Sequence, residues 1–233
     1  VRIEGLAELG GLSAGVAHEI NNPIGIIKAY AEFLLKSSPQ DDPRREDFET
    51  IRAEAERCEG IVRRMLDFSN AKPQQVGEVS LAELVRETAA LVFDERLSHQ
   101  INLHLSIPEQ LPLLFADAAQ LRQALLNVLM NARQAVESLE GTEVKREVRI
   151  SLSQLKGLRA PLELRVEDTG PGITREVAAK AFEPFFTTRA KGTGLGLAIT
   201  RRIIESHQGT ITLEPLPTGG TRCSVSLPIR EEI

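Results

Sequence analysis

The first 70 residues carry a heptad pattern of apolar side chains that predicts two paired helices. In the second helical segment the apolar residues follow at spacings of 3, 4, 3, 4 and 3, and they are Phe48, Ile51, Ala55, Cys58, Val62 and Met65. The first segment has a matching stripe, formed by Leu9, Val16, Ile20, Ile27, Tyr30 and Leu34. Turn-forming residues 38–43 separate the segments, so the pattern predicts a helical hairpin. Because a lone hairpin buries only one stripe, we expect two copies to form a dimeric four-helix bundle.

Beyond residue 72 the pattern changes, and helical segments alternate with segments of strand-like alternation. The polar, proline-containing stretch 71–75 separates the two patterns, so we predict domains at 1–71 and 72–233. The predicted helices are 81–97, 118–139 and 195–207, the first two opened by the capping residues Ser80 and Asp117. The predicted strands are 101–107, 146–155, 162–167, 210–214 and 221–228. This order predicts an α+β fold, an α/β sandwich in which helices cover one face of a mixed sheet.

The composition is that of an ordinary globular chain and argues against a nucleic-acid-binding function and against a membrane-spanning segment in this chain. Of the 233 residues, 42% are hydrophobic and 26% are charged. The net charge of -5 and the lack of Trp argue against nucleic-acid binding. No apolar run approaches the roughly 20 residues that cross a bilayer, so we expect no membrane segment in this chain. Because the sequence starts at Val1 within a helical pattern, we expect it to be part of a longer protein.

A histidine and a carboxylate stand side by side at His18 and Glu19 in the first predicted helix. His18 lies two residues from both Val16 and Ile20, so its ring is predicted to point away from the apolar stripe. A carboxylate that orients one ring nitrogen and takes up its proton makes the other nitrogen a nucleophile. By itself the pair favours a plain solvated histidine. Pro23 is predicted to kink the helix one turn later.

Two asparagines, Asn127 and Asn131, lie four residues apart on a predicted helix, so their carboxamides share a face. The rest of that helix is apolar, and a buried amide must be hydrogen-bonded to be tolerated. An amide oxygen is a suitable ligand for Mg²⁺ together with phosphate oxygens and water. A pair that bridges elements within the core is an equally good interpretation.

Two glycine-rich segments have the character of a nucleotide site. Asp168 ends a predicted strand just before Gly170 and Gly172. A carboxylate at this position can accept a hydrogen bond from the exocyclic amine of adenine, and the glycines let the backbone approach a flat ring. A plain Asp-Gly turn between a strand and a helix is also compatible with the pattern. The segment 192–196 runs directly into a helix, and exposed N–H groups at such a helix start bind anions. Between them, the loop 182–189 holds three phenylalanines and is predicted to be a lid with exposed apolar side chains.

Taken in order, these motifs resemble the catalytic core of a bacterial sensor histidine kinase over nearly the whole chain. The hairpin is similar to the dimerization and histidine-phosphotransfer domain, and the second region to the Bergerat-type ATP-binding fold shared with gyrase and MutL. The family boxes occur in family order at 18–23, 127–131, 168–172, 182–189 and 192–196. The strings Pro-Phe-Phe-Thr-Thr and Asn-Ala-x-Gln-Ala resemble the NtrB-like subgroup.

The resemblance implies ATP and Mg²⁺ as cofactors and His18 as the phosphoacceptor. It implies that Glu19 is the base and that Asn22 orients water when the protein acts as a phosphatase on its partner. The binding residues that it implies are Asn127, Asn131 (also the Mg²⁺ ligand), Asp168, Gly170, Gly172, Phe182, Arg189, Gly192, Thr193, Gly194, Leu195 and Gly196. The implied partners are a second copy of the chain and the receiver domain of a response regulator. The implied location is cytoplasmic, including the cytoplasmic portion of a membrane-anchored protein.

The chain departs from the family pattern at two places. Arg189 stands where the subgroup often has Lys, which keeps the charge and changes the donor geometry. Gln134 and Ala135 replace a basic and an aromatic residue of other subgroups, so neutralisation of the phosphates is expected from Arg189.

Two other functions remain open. An ATPase of the gyrase or MutL type needs a catalytic carboxylate early in the asparagine-box helix, where Gln123 and Leu126 offer none. A scaffold that binds ATP without turnover is also possible, although every box is intact.

Overall fold

The computed structural model describes residues 4–69, 75–94, 101–139, 144–155, 160–189 and 192–229; within the helices, the side chains of 4–18 and 64–69 lie outside the described part. The chain divides into two compact units, Val1–Pro73 and Gln74–Ile233. The helices are α1 (Glu4–Ser37), α2 (Arg45–Ser69), α3 (Leu81–Val92), α4 (Ala118–Glu137), α5 (Arg175–Lys180) and α6 (Gly196–Ser206). The strands are β1 (Val76–Val79), β2 (Asn102–Ser106), β3 (Leu114–Asp117), β4 (Glu147–Gln154), β5 (Leu162–Asp168), β6 (Thr210–Pro215) and β7 (Thr221–Leu227).

The first unit is the predicted helical hairpin, in which α1 packs against α2. Lys28 Nζ donates to Glu59 at 3.0 Å and ties the two helices together. Arg45 Nη1 donates to the carbonyls of Leu35 at 2.7 Å and Ser38 at 3.0 Å, which satisfies carbonyls that the end of α1 leaves without a helical donor. These contacts fix the turn between the helices.

Of the apolar stripe, the hairpin buries few of the side chains that the structure describes. Ala31, Ala55 and Val62 are buried. By contrast, Ile27 is 50% exposed and Tyr30 is 67% exposed. Side chains with this much apolar surface are uncommon on an isolated soluble helix pair, so the hairpin presents a face that a partner can cover.

The second unit is built on a five-stranded mixed sheet in the order β2-β4-β5-β7-β6. The pair β2 and β4 is parallel, and the other neighbours are antiparallel. A second, two-stranded sheet joins β1 to β3. The sequence pattern did not predict β1, β3 or α5, because segments of four to six residues are too short to display a period.

Helices cover one face of the large sheet, as the α+β prediction requires. Along β5, Leu162, Leu164 and Val166 are buried, while the residues between them are more exposed. Helix α4 packs on β4 and β5 and contacts α3 and α6, so it forms the centre of the helical layer. The opposite face carries charges, among them the ion pair of Arg222 with Glu167 at 2.6 Å.

Helix α3 ends earlier than the sequence pattern predicted. Its last residue is Val92, and Phe93 has left the helical region with φ -110° and ψ 36°. Phe93 is buried, so its packing in the core ends the helix while the apolar pattern still continues toward residue 97. None of the helices in the described part combines the length and apolar character that crossing a bilayer requires.

Candidate functional site

Two side chains, Asp117 and His207, fix the helices that carry the candidate site. The Asp117 carboxylate caps α4 by accepting from the backbone N–H of Gln120 at 3.0 Å, and it also accepts from the N–H of Gln75 at 2.8 Å. His207 follows α6, and its Nε2 lies 3.0 Å from the backbone nitrogen of Asp117, whose N–H donates to it. Its Nδ1 lies 2.8 Å from the carbonyl oxygen of Ile203, which can only accept, so Nδ1 carries the proton. The start of α4 and the end of α6 are therefore joined.

Asn127, on α4, binds the opposite end of α6. Its Nδ2 donates to the carbonyl of Gly196 at 3.1 Å and to Thr200 Oγ1 at 3.3 Å. Thr200 is fully buried and donates to the same carbonyl at 2.9 Å. Asn127 thus bridges two core helices, which is the second of the two interpretations of the asparagine pair. This bond sets the position of the first turn of α6.

Asn131 lies one turn further along α4 and faces the loop that was predicted to be a lid. Arg189 Nη1 donates to its Oδ1 at 3.1 Å, and Nη2 donates to its backbone carbonyl at 3.0 Å. Nη1 also donates to Oε1 of Gln134. A guanidinium cation therefore rests on the carboxamide oxygen that was predicted to bind Mg²⁺.

Asp168 ends β5 and is 7% exposed. Burial raises the pKa of its carboxyl group to about 6, and backbone hydrogen bonds from Gly170 and Thr221 and the charge of Arg189 lower it only in part. Its Oδ1 accepts from the N–H of Gly170 at 2.8 Å. A Cβ on Gly170 would lie 2.7 Å from Cβ of Ala135, so the backbone here approaches α4 closely. At neutral pH the carboxyl group is ionised and can accept from an exocyclic amine.

The lid loop is closed on itself at two glycines. The N–H of Phe185 donates to the carbonyl of Gly194 at 3.0 Å. Gly194 has φ +67°, and a Cβ there would lie 2.3 Å from the carbonyl carbon of Phe185. At Gly192 a Cβ would lie 2.3 Å from Thr187 Oγ1, which accepts from the N–H of Arg189 at 3.1 Å. The glycines let the two arms of the lid meet and so set the place of Arg189.

The other residues of this region surround the start of α6. Phe182 is half-buried, with the Arg201 guanidinium carbon 5.8 Å from its ring centroid. Leu195 is fully buried and Thr193 is half-buried. No side chain of the described residues caps α6, which leaves its first N–H groups available to an anion. Among the lid phenylalanines only Phe185, at 56%, is strongly exposed, so the expectation of an exposed apolar loop holds for one of the three.

The histidine box lies within α1. The side chain of His18 lies outside the described residues, whereas Glu19 and Asn22 are exposed. Pro23 is inside the helix and has no N–H, so the carbonyl of Glu19 has no helical donor. The helix continues through this position to Ser37, and the kink stays a prediction.

The donor set fits a nucleotide with a divalent cation. Asp168 offers a buried carboxylate, and Asn131 offers an amide oxygen that already accepts from a cation. Within the described ranges, no cluster of three or more His, Cys, Asp or Glu side chains could hold a metal ion. A cation at Asn131 therefore needs further oxygens from phosphate and water, which is the coordination that Mg²⁺ favours.

Several residues of the site carried no recognisable signal in the sequence. Gly220 has φ +88°, and a Cβ there would lie 1.9 Å from the carbonyl oxygen of Asp168, although the sequence suggested only a hairpin turn. Thr200 and His207 belong to no motif. Co-variation of either residue with its contact partner among related sequences is the signal that could have identified it. Gln134 was noticed only as a departure from the family pattern.

Two family models match the chain. The His Kinase A (phospho-acceptor) domain matches residues 8–74, and the histidine kinase-, DNA gyrase B- and HSP90-like ATPase matches residues 116–231. The solved catalytic domain of histidine kinase ThkA is 30% identical, with a TM-score of 0.57, over 66% of this chain and 96% of that one. The chain belongs to the histidine kinase family. The phospho-acceptor match favours the kinase over an ATPase of the gyrase or MutL type.

Other relatives extend the likeness to both units. ThkA in complex with the response regulator protein TrrA is 30% identical with a TM-score of 0.67, over 98% of this chain and 64% of that chain. Full-length ShkA in complex with AMPPNP shares the fold, at 24% identity and a TM-score of 0.76, over 96% of this chain and 47% of that chain. The signal transduction histidine-protein kinase AtoS of Escherichia coli (strain K12) is 36% identical over 98% of this chain.

These likenesses confirm the predicted fold class and the prediction of a histidine kinase catalytic core. The chain spans 36% of the length of AtoS and 48% of that of the sensor histidine kinase ZraS of Escherichia coli O157:H7. The NtrB-like subgroup stays a prediction.

Proposed function

We propose that this chain is the catalytic core of a two-component sensor kinase, which transfers the γ-phosphoryl group of ATP to His18 and then to an aspartate of a response regulator. One observation supports this proposal most directly. The phospho-acceptor module, with His18 and Glu19 on α1, is followed by an ATPase module whose candidate nucleotide ligands cluster around α4 and α6. The domains proposed are 1–71 for phosphotransfer and 72–233 for ATP binding. The two sequence strings noted above support the NtrB-like subgroup.

In this proposal the residues of the ATP-binding unit hold the nucleotide. Asp168 accepts from the adenine amine, with Gly170 and Gly172 beside the ring. The N–H groups at the start of α6 and the charge of Arg189 face the phosphates. Mg²⁺, when bound, neutralises phosphate charge, and Asn131 is its protein ligand.

The residues of α1 act on the phosphoryl acceptor. Glu19 accepts the proton of one ring nitrogen of His18 and keeps the other nitrogen free to attack in line. Pro23 leaves the carbonyl of Glu19 without a helical donor, so the backbone beside the histidine is less constrained than the rest of α1. Asn22 orients a water molecule when the core dephosphorylates its partner, and its exposure supports this role.

The test is incubation with γ-labelled ATP and Mg²⁺. We expect label that is acid-labile and alkali-stable, and that is absent from His18→Ala while that variant still binds ATP. His104→Ala is the matched control, because His104 is an exposed histidine of β2 that belongs to none of the boxes. Label that persists in His18→Ala overturns the acceptor assignment, and ATP binding without label in the unaltered chain favours the scaffold.

We also propose that the core works as a homodimer through the hairpin. The apolar stripe of α1 supports this, since Ile27, Tyr30 and Phe33 are half or more exposed in a single chain. Ile27→Glu is expected to convert the dimer to monomer in sedimentation at micromolar concentration, with Glu49→Gln on the polar side of α2 as control. A monomeric unaltered chain contradicts the proposal.

The response-regulator partner is proposed from the complex of ThkA with TrrA. Transfer of label from the phosphorylated core to a purified receiver domain tests it, and a receiver with its acceptor aspartate replaced by Asn is the control. A cytoplasmic location, alone or as part of a membrane-anchored protein, stays a prediction of the resemblance.

A further inference from the structure

The oxygen proposed to bind Mg²⁺ is covered by a side chain of the lid. Arg189 spans Asn131 with both terminal nitrogens, one on the side-chain oxygen at 3.1 Å and one on the backbone carbonyl at 3.0 Å. Gln134, nearly one turn later on α4, accepts from the same Nη1 that contacts the side chain of Asn131. Three acceptors on one turn of a helix therefore hold one guanidinium.

The acceptors in this contact are all neutral. They are two carboxamide oxygens and one backbone carbonyl, and among the described residues no carboxylate forms an ion pair with Arg189. Burial lowers the pKa of Arg189 below its ordinary value, and the charge of Asp168 opposes this shift only in part. A cation whose direct hydrogen-bond acceptors are neutral can be displaced more easily than one that is hydrogen-bonded to a carboxylate.

The position of Arg189 is also set from the lid. Its N–H donates to Thr187 Oγ1, and the lid is closed by the bond from Phe185 to Gly194. The guanidinium is thus held from both sides, by the lid backbone and by α4. Of its partners on α4, Gln134 is the one that no other part of the proposed function uses.

We propose that Gln134 is a positioning residue that keeps Arg189 on Asn131 in the nucleotide-free chain, so that the guanidinium occupies the Mg²⁺ ligand until the metal–nucleotide complex displaces it. This inference rests on the proposed function, because it takes Asn131 to be the Mg²⁺ ligand. A guanidinium and Mg²⁺ cannot share one amide oxygen, since like charges at contact distance repel. Binding must therefore open the contact, and the measured affinity is reduced by the fraction of chains in which it is closed.

Gln134→Met tests the inference, because Met keeps the length of the side chain and removes the acceptor. We expect Mg²⁺·AMPPNP to bind about threefold or more tightly to this variant in calorimetry, since a larger fraction of chains is open. Gln123→Met, three turns earlier on α4, is the matched control and should not change the affinity. Arg189→Met is expected to weaken binding, because it also removes a charge that faces the phosphates.

A double variant at Gln134 and Arg189 separates the positioning of Arg189 from any other effect of Gln134. Once Arg189 is replaced by Met, Gln134→Met should have no further effect on the affinity, because there is no guanidinium to position. Equal effects in both backgrounds, or weaker binding by Gln134→Met alone, would overturn the inference. If the unaltered chain does not bind AMPPNP at all, the proposed function itself fails.

A second measurement needs no nucleotide. Trypsin must take the side chain of Arg189 into its own pocket, so the contact with Asn131 should slow cleavage after Arg189. In the nucleotide-free chain we expect Gln134→Met to be cleaved there about threefold faster or more, relative to cleavage after the exposed Lys180. An unchanged relative rate shows that Gln134 does not hold the arginine and overturns the inference whatever the nucleotide affinity.

Discussion

The imidazole Nε2 of His207 accepts a hydrogen bond from the backbone N–H of Asp117, 90 residues earlier in the chain, at 3.0 Å. The same aspartate caps α4 with its carboxylate. Burial raises the pKa of Asp117, but hydrogen bonds from the backbone N–H groups of Gln120, Gln75 and Ala119 outweigh it and lower the pKa below its ordinary value. One aspartate therefore connects the start of the unit, the asparagine-box helix and the end of α6.

His207→Phe is predicted to destabilise the chain. Phe has a similar volume but no acceptor, so the buried N–H of Asp117 loses its partner. The carbonyl of Ile203 loses the imidazole donor but keeps the backbone N–H of residue 207. We expect the free energy of unfolding to fall by about 1–3 kcal/mol in urea denaturation followed by circular dichroism. His104→Phe, at an exposed position of β2, should change it by less than about 0.5 kcal/mol. An equal loss in both variants would show that the bond to Asp117 contributes nothing specific.

Ionisation of Asp168 is predicted to lower the free energy of unfolding as the pH rises, which is the opposite of the usual effect of a carboxylate. Its pKa rises from the ordinary 3.8 to about 6 in the fold because of burial. Between these values the folded chain binds more protons than the unfolded chain, so the contribution of Asp168 to stability falls as the pH rises from about 4 to about 6, by up to about 3 kcal/mol. Asp168→Asn should flatten this part of the pH profile of the unfolding free energy.

The same substitution is predicted to remove nucleotide binding. We expect Asp168→Asn to lower ATP affinity at least about tenfold at pH 7.5, because the adenine amine loses a charged acceptor. The unfolding temperature at that pH should not fall, because the variant no longer buries a charge. A parallel loss of stability and affinity would assign Asp168 to the core rather than to the nucleotide.

The two asparagines of α4 are predicted to respond differently to the same change. Asn127→Asp replaces the donor to Gly196 and Thr200 by a carboxylate that faces a carbonyl, and it should lower the unfolding free energy by about 2 kcal/mol. Asn131→Asp keeps the oxygen that accepts from Arg189, so its effect should stay within about 0.5 kcal/mol. Denaturation curves of the two variants check this, and similar losses would contradict the distinct roles.

Gly194→Ala is predicted to prevent closure of the lid. The new Cβ would lie 2.3 Å from the carbonyl carbon of Phe185, at a backbone φ of +67°. We expect ATP affinity to fall about tenfold while the fold is retained, since the clash is confined to the loop. Gly219→Ala is the control, because it has a similar strain at φ +89° with nothing within 4 Å of the added Cβ. If both variants bind alike, the approach of Gly194 to Phe185 does not matter for binding.

Local chemistry explains which elements the sequence predicted. The heptad stripe predicted the hairpin. Ser80 and Asp117 predicted two helix starts, which the structure places at Leu81 and Ala118. These starts were predictable because each capping side chain accepts from a backbone N–H only three residues later, which is a local interaction. The predicted end of α3 was wrong, because Phe93 leaves the helix and packs in a core that the sequence of this segment alone does not reveal.

The order of the boxes can be read along the chain, and it indicates the family, the nucleophile candidate and the candidate ligands. What each polar side chain contacts depends on the tertiary structure. It assigned the amide of Asn127 to Gly196 and placed Arg189 on Asn131 and Gln134, across separations of 55 residues and more. It also brought His207 to Asp117. Periodicity and capping act over a few residues, whereas these bonds depend on how strands and helices pack, so no local pattern encodes them.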